Sequence, residues 1–153
     1  MFMSELSSVI FKILKQGKDI ILVGPGDSGK TWFVENTFIP YLKSRDKNIR
    51  YFKDPDGVSS RECNHQDFVV VDEVESLQDR KFLEAQSPHE KPYYSEAYEA
   101  KVNCWFEKLK VISCPGIYVI SRNKKAIPHF MKTVHSLDWK RDLVEVIDFQ
   151  ACI

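Results

Sequence analysis

Gly24-Pro25-Gly26-Asp27-Ser28-Gly29-Lys30-Thr31 lies between the apolar run Ile20-Ile21-Leu22-Val23 and the segment Trp32-Phe33-Val34-Glu35-Asn36-Thr37-Phe38. The octet fits G-x-x-x-x-G-K-[ST], with a strand expected before it and a helix after it, as that pattern requires. Its glycines let successive backbone N–H groups turn inward around phosphate oxygens, and the following helix points its positive end at the same place. Gly24, Pro25, Gly26, Asp27, Ser28, Gly29, Lys30 and Thr31 are therefore the candidate phosphate-binding residues. Within the octet, Lys30 would reach the outer phosphates and the Thr31 hydroxyl would take a place on Mg²⁺.

Outward from this loop, the chain reads as strands alternating with helices. Leu6, Val9, Ile10, Ile13 and Leu14 recur at helical spacing, so an amphipathic helix is expected over about residues 4–17, with Ser4 as cap and Gly17 as stop. A second helix is expected from about Lys30 to Ser44, with an inner face of Phe33, Val34, Thr37, Phe38 and Tyr41. Pro40 should kink it or end it early.

Asn48–Phe52 reads as a strand closed by Asp54-Pro55-Asp56-Gly57, and a brief polar connection leads to Phe68-Val69-Val70-Val71. That unbroken β-branched run is typical of a strand buried on both faces, hence of a parallel sheet. Tyr98, Lys101, Val102, Trp105, Phe106 and Leu109 mark a helical stripe. Gly116–Ile120 is a fourth strand, a helix through His129, Phe130 and Met131 should follow Pro128, and Leu143–Asp148 is a fifth strand. The alternation specifies an α/β fold with three layers around a five-stranded parallel sheet. With 153 residues, one domain is expected, its core over about residues 19–148.

Composition is that of a water-soluble globular chain, with 43% hydrophobic and 29% charged residues and no formal net charge. The charges are unevenly spread, however. Ten acidic residues fall between Glu62 and Glu99, whereas Arg122 to Arg141 holds six Lys/Arg against Asp138 alone. This basic segment could serve as a solvated helix face, a nucleotide contact or a polyanion surface. Cys63, Cys104, Cys114 and Cys152 show no C-x-x-C or framework spacing, so reduced thiols in a cytoplasmic protein are expected. The N-terminal residues lack a signal-peptide core and no apolar run is long enough to span a bilayer, so no membrane partner is expected.

Asp67-Phe68-Val69-Val70-Val71-Asp72-Glu73 adds the second chemical element. Its apolar strand delivers two carboxylates to the C-terminal edge, where open α/β sheets bind ligands. Asp72 is placed to hold Mg²⁺ through water, beside Thr31, and Glu73 to act as general base toward an attacking water. A third element is the polar tip after Ile120, where Asn123 or Ser121 could orient that water; Asn123 is preferred.

GPGDSGKT, FVVVDE and YVISRN together resemble the Walker A, Walker B and sensor-1 (or motif C) segments of the AAA+ ATPases and the related superfamily-3 viral helicases. The resemblance spans about Asp19 to Asp148. It implies a P-loop NTPase fold with sheet order 5-1-4-3-2, the Walker B and sensor strands lying beside the Walker A strand, and ATP as the nucleotide. The family also carries an arginine finger just before the fifth strand that reaches a neighbouring subunit's site. Arg141 occupies the corresponding place and implies a homo-oligomer, with Arg122 as the alternative.

Two departures from the family stand out. The sequence stops soon after the fifth strand, so a core without the helical lid is expected, and the second connection leaves little room for a pore loop. The leading expectation is Mg²⁺-dependent ATP hydrolysis by Lys30, Glu73, Asn123 and Arg141, coupled to a nucleic-acid task such as replication, helicase loading or packaging. A small-molecule kinase and a slowly turning nucleotide-gated interaction module, with residues 87–94 as its contact loop, are the alternatives.

Overall fold

The computed structural model describes residues 3–25, 28–74, 107–120 and 144–152, together with positions 100, 104 and 128. Five strands form one all-parallel sheet: β1 (Asp19–Val23), β2 (Ile49–Phe52), β3 (Phe68–Val71), β4 (Gly116–Ile120) and β5 (Val144–Asp148), in the order β2-β3-β4-β1-β5. That is the expected order. One detail differs from expectation: of β3 and β4, only β4 lies directly beside β1, whose other neighbour is β5. β3 is one strand further out, bonded to β4 on one side and β2 on the other.

Every residue of β1, β3 and β4 is buried, as continuous apolar runs require when both faces of a sheet are covered. Side chains alternate between two cores. Ile20, Leu22, Phe68, Val70, Ile117 and Val119 pack with Leu6, Ile10 and Leu14 of helix α1 (Met3–Lys15) and with Phe33, Val34, Phe38 and Leu42. Ile21, Val23, Val69, Val71, Tyr118 and Ile120 pack on the other face with Val58, Cys63, Leu109 and Ile112. Cys63, Cys104, Cys114 and Cys152 are all thiols. No helix among the described residues is long and apolar enough to cross a membrane.

Helix α1 begins at Met3, so Ser4 lies within it rather than capping it, and Val9 faces outward at 43% exposure despite its place in the expected stripe. Gly17 does end the helix, in the left-handed conformation at φ +81. The expected second helix passes through Pro40 instead of stopping. Helix α2 (Lys30–Phe33) continues into a π turn, Val34–Phe38, and then helix α3 (Ile39–Lys43), with the Ile39 N–H donating to the Val34 carbonyl. A proline has no N–H and its ring collides with the carbonyl four residues back; widening the preceding turn accommodates both. The extra residue also shifts the helical phase, so Leu42 is buried and Tyr41 moves to the flank. There Tyr41 packs edge-on to Phe11 while the Arg45 guanidinium stacks 3.6 Å above its ring.

The connection from β2 to β3 is more structured than its polar sequence suggests. A 3₁₀ turn at Pro55–Gly57 and helix α4 (Ser60–Cys63), capped by the Ser59 hydroxyl on the Glu62 N–H, bury Val58 and Cys63 under the sheet. The expected helical stripe from Tyr98 to Phe106, apart from positions 100 and 104, and the helix after Pro128 lie outside the described residues.

Gly116 opens β4 where a side chain has no room. A Cβ there would stand 2.8 Å from Val69 Cγ2 and 3.1 Å from the Val69 carbonyl oxygen. Valine is stiff at χ1 and the carbonyl belongs to the ladder, so neither can yield cheaply. Gly116→Ala should destabilise the protein by about 2 kcal/mol, lowering the melting temperature by roughly 4–8 °C. Gly57→Ala, which meets only Phe52 at 3.6 Å, is the control and should leave it nearly unchanged.

Candidate functional site

The C-terminal edge of the sheet gathers the residues that carry the chemistry. Gly24 follows β1 and its N–H still donates to the Ile120 carbonyl at the end of β4, at 3.3 Å. A Cβ on Gly24 would meet Ser28 Oγ at 3.0 Å and Lys30 Cδ at 3.4 Å, so the tight path of the loop needs glycine there. Gly29 is required for a different reason. Nothing lies within 4 Å of its would-be Cβ, but its φ of +90 is the left-handed conformation that starts helix α2.

Lys30 folds back into the loop and is 3% exposed. Its Nζ donates to the carbonyls of Gly24 at 2.6 Å and Pro25 at 2.7 Å and to Ser28 Oγ at 3.3 Å. Ser28 in turn donates to the Pro25 carbonyl at 2.7 Å. A buried ammonium needs such partners, and they pin the lysine to the octet that surrounds it.

Thr31 meets Asp72. The Thr31 hydroxyl donates to Asp72 Oδ2 at 2.6 Å, joining positions 41 residues apart. Alternation explains the meeting: Phe68 and Val70 face the core that contains Phe33 and Phe38, and Asp72, two residues on, continues toward that same helix. The carboxylate is 3% exposed, and its Oδ1 accepts the Glu73 N–H at 2.7 Å.

Glu73 is exposed between two buried neighbours and has φ +52. The left-handed residue lets the chain reverse its pleat so that the Val74 N–H reaches the Val119 carbonyl at 3.0 Å and Val74 is buried. Anchored on both sides, the Glu73 side chain projects from the edge. A strained non-glycine residue at a sheet edge is a mark of functional sites.

Sequence reasoning missed Tyr51. On β2 it stands opposite Val70, and its hydroxyl lies 3.2 Å from Asp72 Oδ2 and 3.1 Å from Glu35 Oε1. Burial first, then the charge of Asp72 and the hydrogen bond with Glu35, push the phenol well above its ordinary pKa, so it stays protonated. The signal was the β2–β3 pairing, which local patterns do not reveal. Also missed was a basic edge. Lys43, Arg50 and Lys53, together with Glu35, Ile39, Ile49 and Tyr51, line an open groove of about 510 Å³ beside β2. Arg50 is engaged by Glu62 at 3.1 Å.

Gly24, Pro25, Ser28, Gly29, Lys30, Thr31, Asp72 and Glu73 lie at this edge of the sheet, where Thr31 joins the loop to Asp72. Gly26, Asp27, Ser121, Arg122, Asn123 and Arg141 lie outside the described residues, as does the basic segment 122–141 apart from Pro128. Among the described residues no group of three or more His, Cys, Asp or Glu is placed to hold a metal ion.

The left-handed conformation of Glu73 costs about 1–2 kcal/mol for an L-residue, partly offset by the greater freedom of unfolded glycine. Glu73→Gly should therefore stabilise the fold by about 0.5–1 kcal/mol in chemical denaturation, whereas Glu73→Ala should not. A Glu73→Gly protein no more stable than Glu73→Ala would show that the backbone there is unstrained. In comparisons with known proteins, no family model matches the chain and no curated protein matches it.

Proposed function

We propose that this chain is a P-loop ATPase of the AAA+ and superfamily-3 type, acting inside the cell, that binds ATP with Mg²⁺ and hydrolyses it. The observation that carries this reading is the 2.6 Å bond between Thr31 and Asp72. It joins the end of the glycine-rich loop to the carboxylate after β3, the two groups such an enzyme needs at its metal. A hydroxyl that donates its hydrogen to a carboxylate keeps its oxygen lone pairs for a cation. Thr31 and Asp72 are hard oxygen donors with a single carboxylate between them. This set fits Mg²⁺, which keeps several waters and is bound through one or two carboxylates plus substrate phosphates. When bound there, Mg²⁺ would neutralise phosphate charge.

The protein's own groups divide the remaining work. Lys30 and the backbone amides of Gly26 to Lys30 would hold the phosphates. Asn123 would orient the attacking water, and Glu73 would take its proton as the new oxygen–phosphorus bond forms and the bond to the β-phosphate breaks, giving ADP and inorganic phosphate. Arg141 from a neighbouring copy would stabilise charge on the transferring phosphoryl group. Glu73→Gln tests the assignment: ATP affinity should hold while turnover drops about 100-fold or more. Retained turnover in Glu73→Gln would favour the slowly turning interaction module instead.

The groove beside β2 supports a nucleic-acid partner. Between Lys43 and Lys53 the sequence holds five Lys/Arg against Asp46 alone, and Lys43, Arg50 and Lys53 face one open channel. Single-stranded DNA should bind with an affinity that falls as salt rises. Replacing both Lys43 and Lys53 by Glu should weaken binding and reduce the log–log salt slope by about 1.4, the share of two phosphate contacts. Absence of binding at low salt would remove this partner.

A further inference from the structure

Tyr51 contacts the centre of the site from the edge of the sheet. In the parallel pairing of β2 with β3 it is opposite Val70, on the face whose next residue along β3 is Asp72. Its ring packs partly buried in the core below, which fixes the height of the hydroxyl. That hydroxyl sits between two carboxylates, Asp72 Oδ2 at 3.2 Å and Glu35 Oε1 at 3.1 Å, and has one hydrogen to give. Glu35 is exposed and can be satisfied by water, whereas Asp72 is 3% exposed and has no such recourse. Oδ2 already accepts from Thr31, so the Tyr51 hydroxyl is its second donor; the hydrogen is shared with Glu35, and the share at Asp72 is the one that water cannot replace.

Asp72 is then held on every side. Oδ1 takes the Glu73 N–H; Oδ2 takes the hydroxyls of Thr31 and Tyr51. Without the Tyr51 hydroxyl, Oδ2 keeps Thr31 alone and the carboxylate is free to swing about its Cβ–Cγ bond. We propose that Tyr51 is a positioning residue for the cation site: it fixes the Asp72 carboxylate in the orientation that leaves Thr31 and Asp72 oxygens facing one point. The inference rests on the nucleotide reading above. Partners behind a metal ligand set its orientation and basicity, and their loss typically weakens metal binding by about 10–100-fold.

The experiment follows equilibrium binding of a fluorescent ATP analogue, once in EDTA and once across a MgCl₂ titration, without measuring hydrolysis. Tyr51→Phe removes only the hydroxyl and keeps the ring in its core contacts. Its Mg²⁺ midpoint should rise roughly tenfold while its affinity in EDTA matches wild type, which also shows that it is folded. Glu35→Gln retains the Tyr51 hydroxyl and should keep the wild-type midpoint. Coincident Mg²⁺ curves for wild type and Tyr51→Phe would overturn the role of Tyr51 while leaving the nucleotide site intact. Equal weakening with and without metal would overturn it too, since that is loss of structure rather than of positioning. A wild-type protein that binds no nucleotide, or binds it identically with and without Mg²⁺, would overturn both readings, an outcome visible before any variant is made.

Discussion

The hydrogen bond between Thr31 and Asp72 depends on nearly every other feature of the fold. Its two residues belong to segments that are not neighbours in the sheet, because β4 runs between β1 and β3. β4 must therefore be inserted in register with both. Val23 pairs with Ile120, and Val71 with Tyr118, so β1 and β4 end level and β3 ends two residues short of them, with Asp72 next along the chain. Gly116 permits that insertion by bringing β4 against Val69 without a side chain in the way. At the opposite end of the sheet from the site, the Gly116 N–H donates to the buried carboxylate of Asp19 at 2.8 Å, tying the start of β4 to the start of β1. A bond from hydroxyl to carboxylate contributes only about 1.5–3 kcal/mol. It reports the alignment of the sheet more than it creates it.

Rigidity at the edge is then unequal by design of the backbone. Asp72 is fixed by its own N–H on the Phe52 carbonyl at 2.9 Å as well as by three donors to its side chain. Among the described residues Glu73 is fixed through its backbone alone, held between that cluster and the Val74–Val119 bond. The strain at Glu73 persists because the buried neighbours on either side gain more by staying in place than the residue would gain by relaxing.

Much of this was legible in the sequence because its causes are local. The continuous runs Ile20–Val23, Phe68–Val71 and Gly116–Ile120 can be buried strands of a parallel sheet, and the loop octet needs its residue types at fixed spacing. Asp72 and Thr31 could be paired in advance by analogy of motif, and alternation along β3 supplies the physical reason. Tyr51 could not be found that way. Its place beside Asp72 depends on β2 pairing with β3 rather than elsewhere, and on a register in which Tyr51 rather than Phe52 faces the helix. The π turn was illegible for a similar reason. Pro40 announces a disruption, but whether a helix stops or widens is decided by the burial of Leu42 beyond it. The charge run between Lys43 and Lys53 is visible in the sequence, but that Lys43, Arg50 and Lys53 line one groove depends on the helix end folding beside β2.

Asp72 and Glu73 are adjacent in sequence and both acidic, yet the structure gives them different surroundings. A general base needs an oxygen with open lone pairs and access to water. Asp72 has neither in full: it is buried, and both oxygens already accept hydrogen bonds. Such a carboxylate is suited to a fixed negative charge that holds the proposed metal through water, where position matters more than capacity to take a proton. Glu73 is the reverse, with an exposed side chain to which no other described residue donates. The left-handed turn between them is what separates the roles. With ordinary strand geometry, alternation would send Glu73 to the face of Val69 and Val71, away from the helix. Reversing the pleat at that one residue buries Val74 and leaves the glutamate at the rim, so the proposed base and the proposed metal ligand can serve one site from consecutive positions.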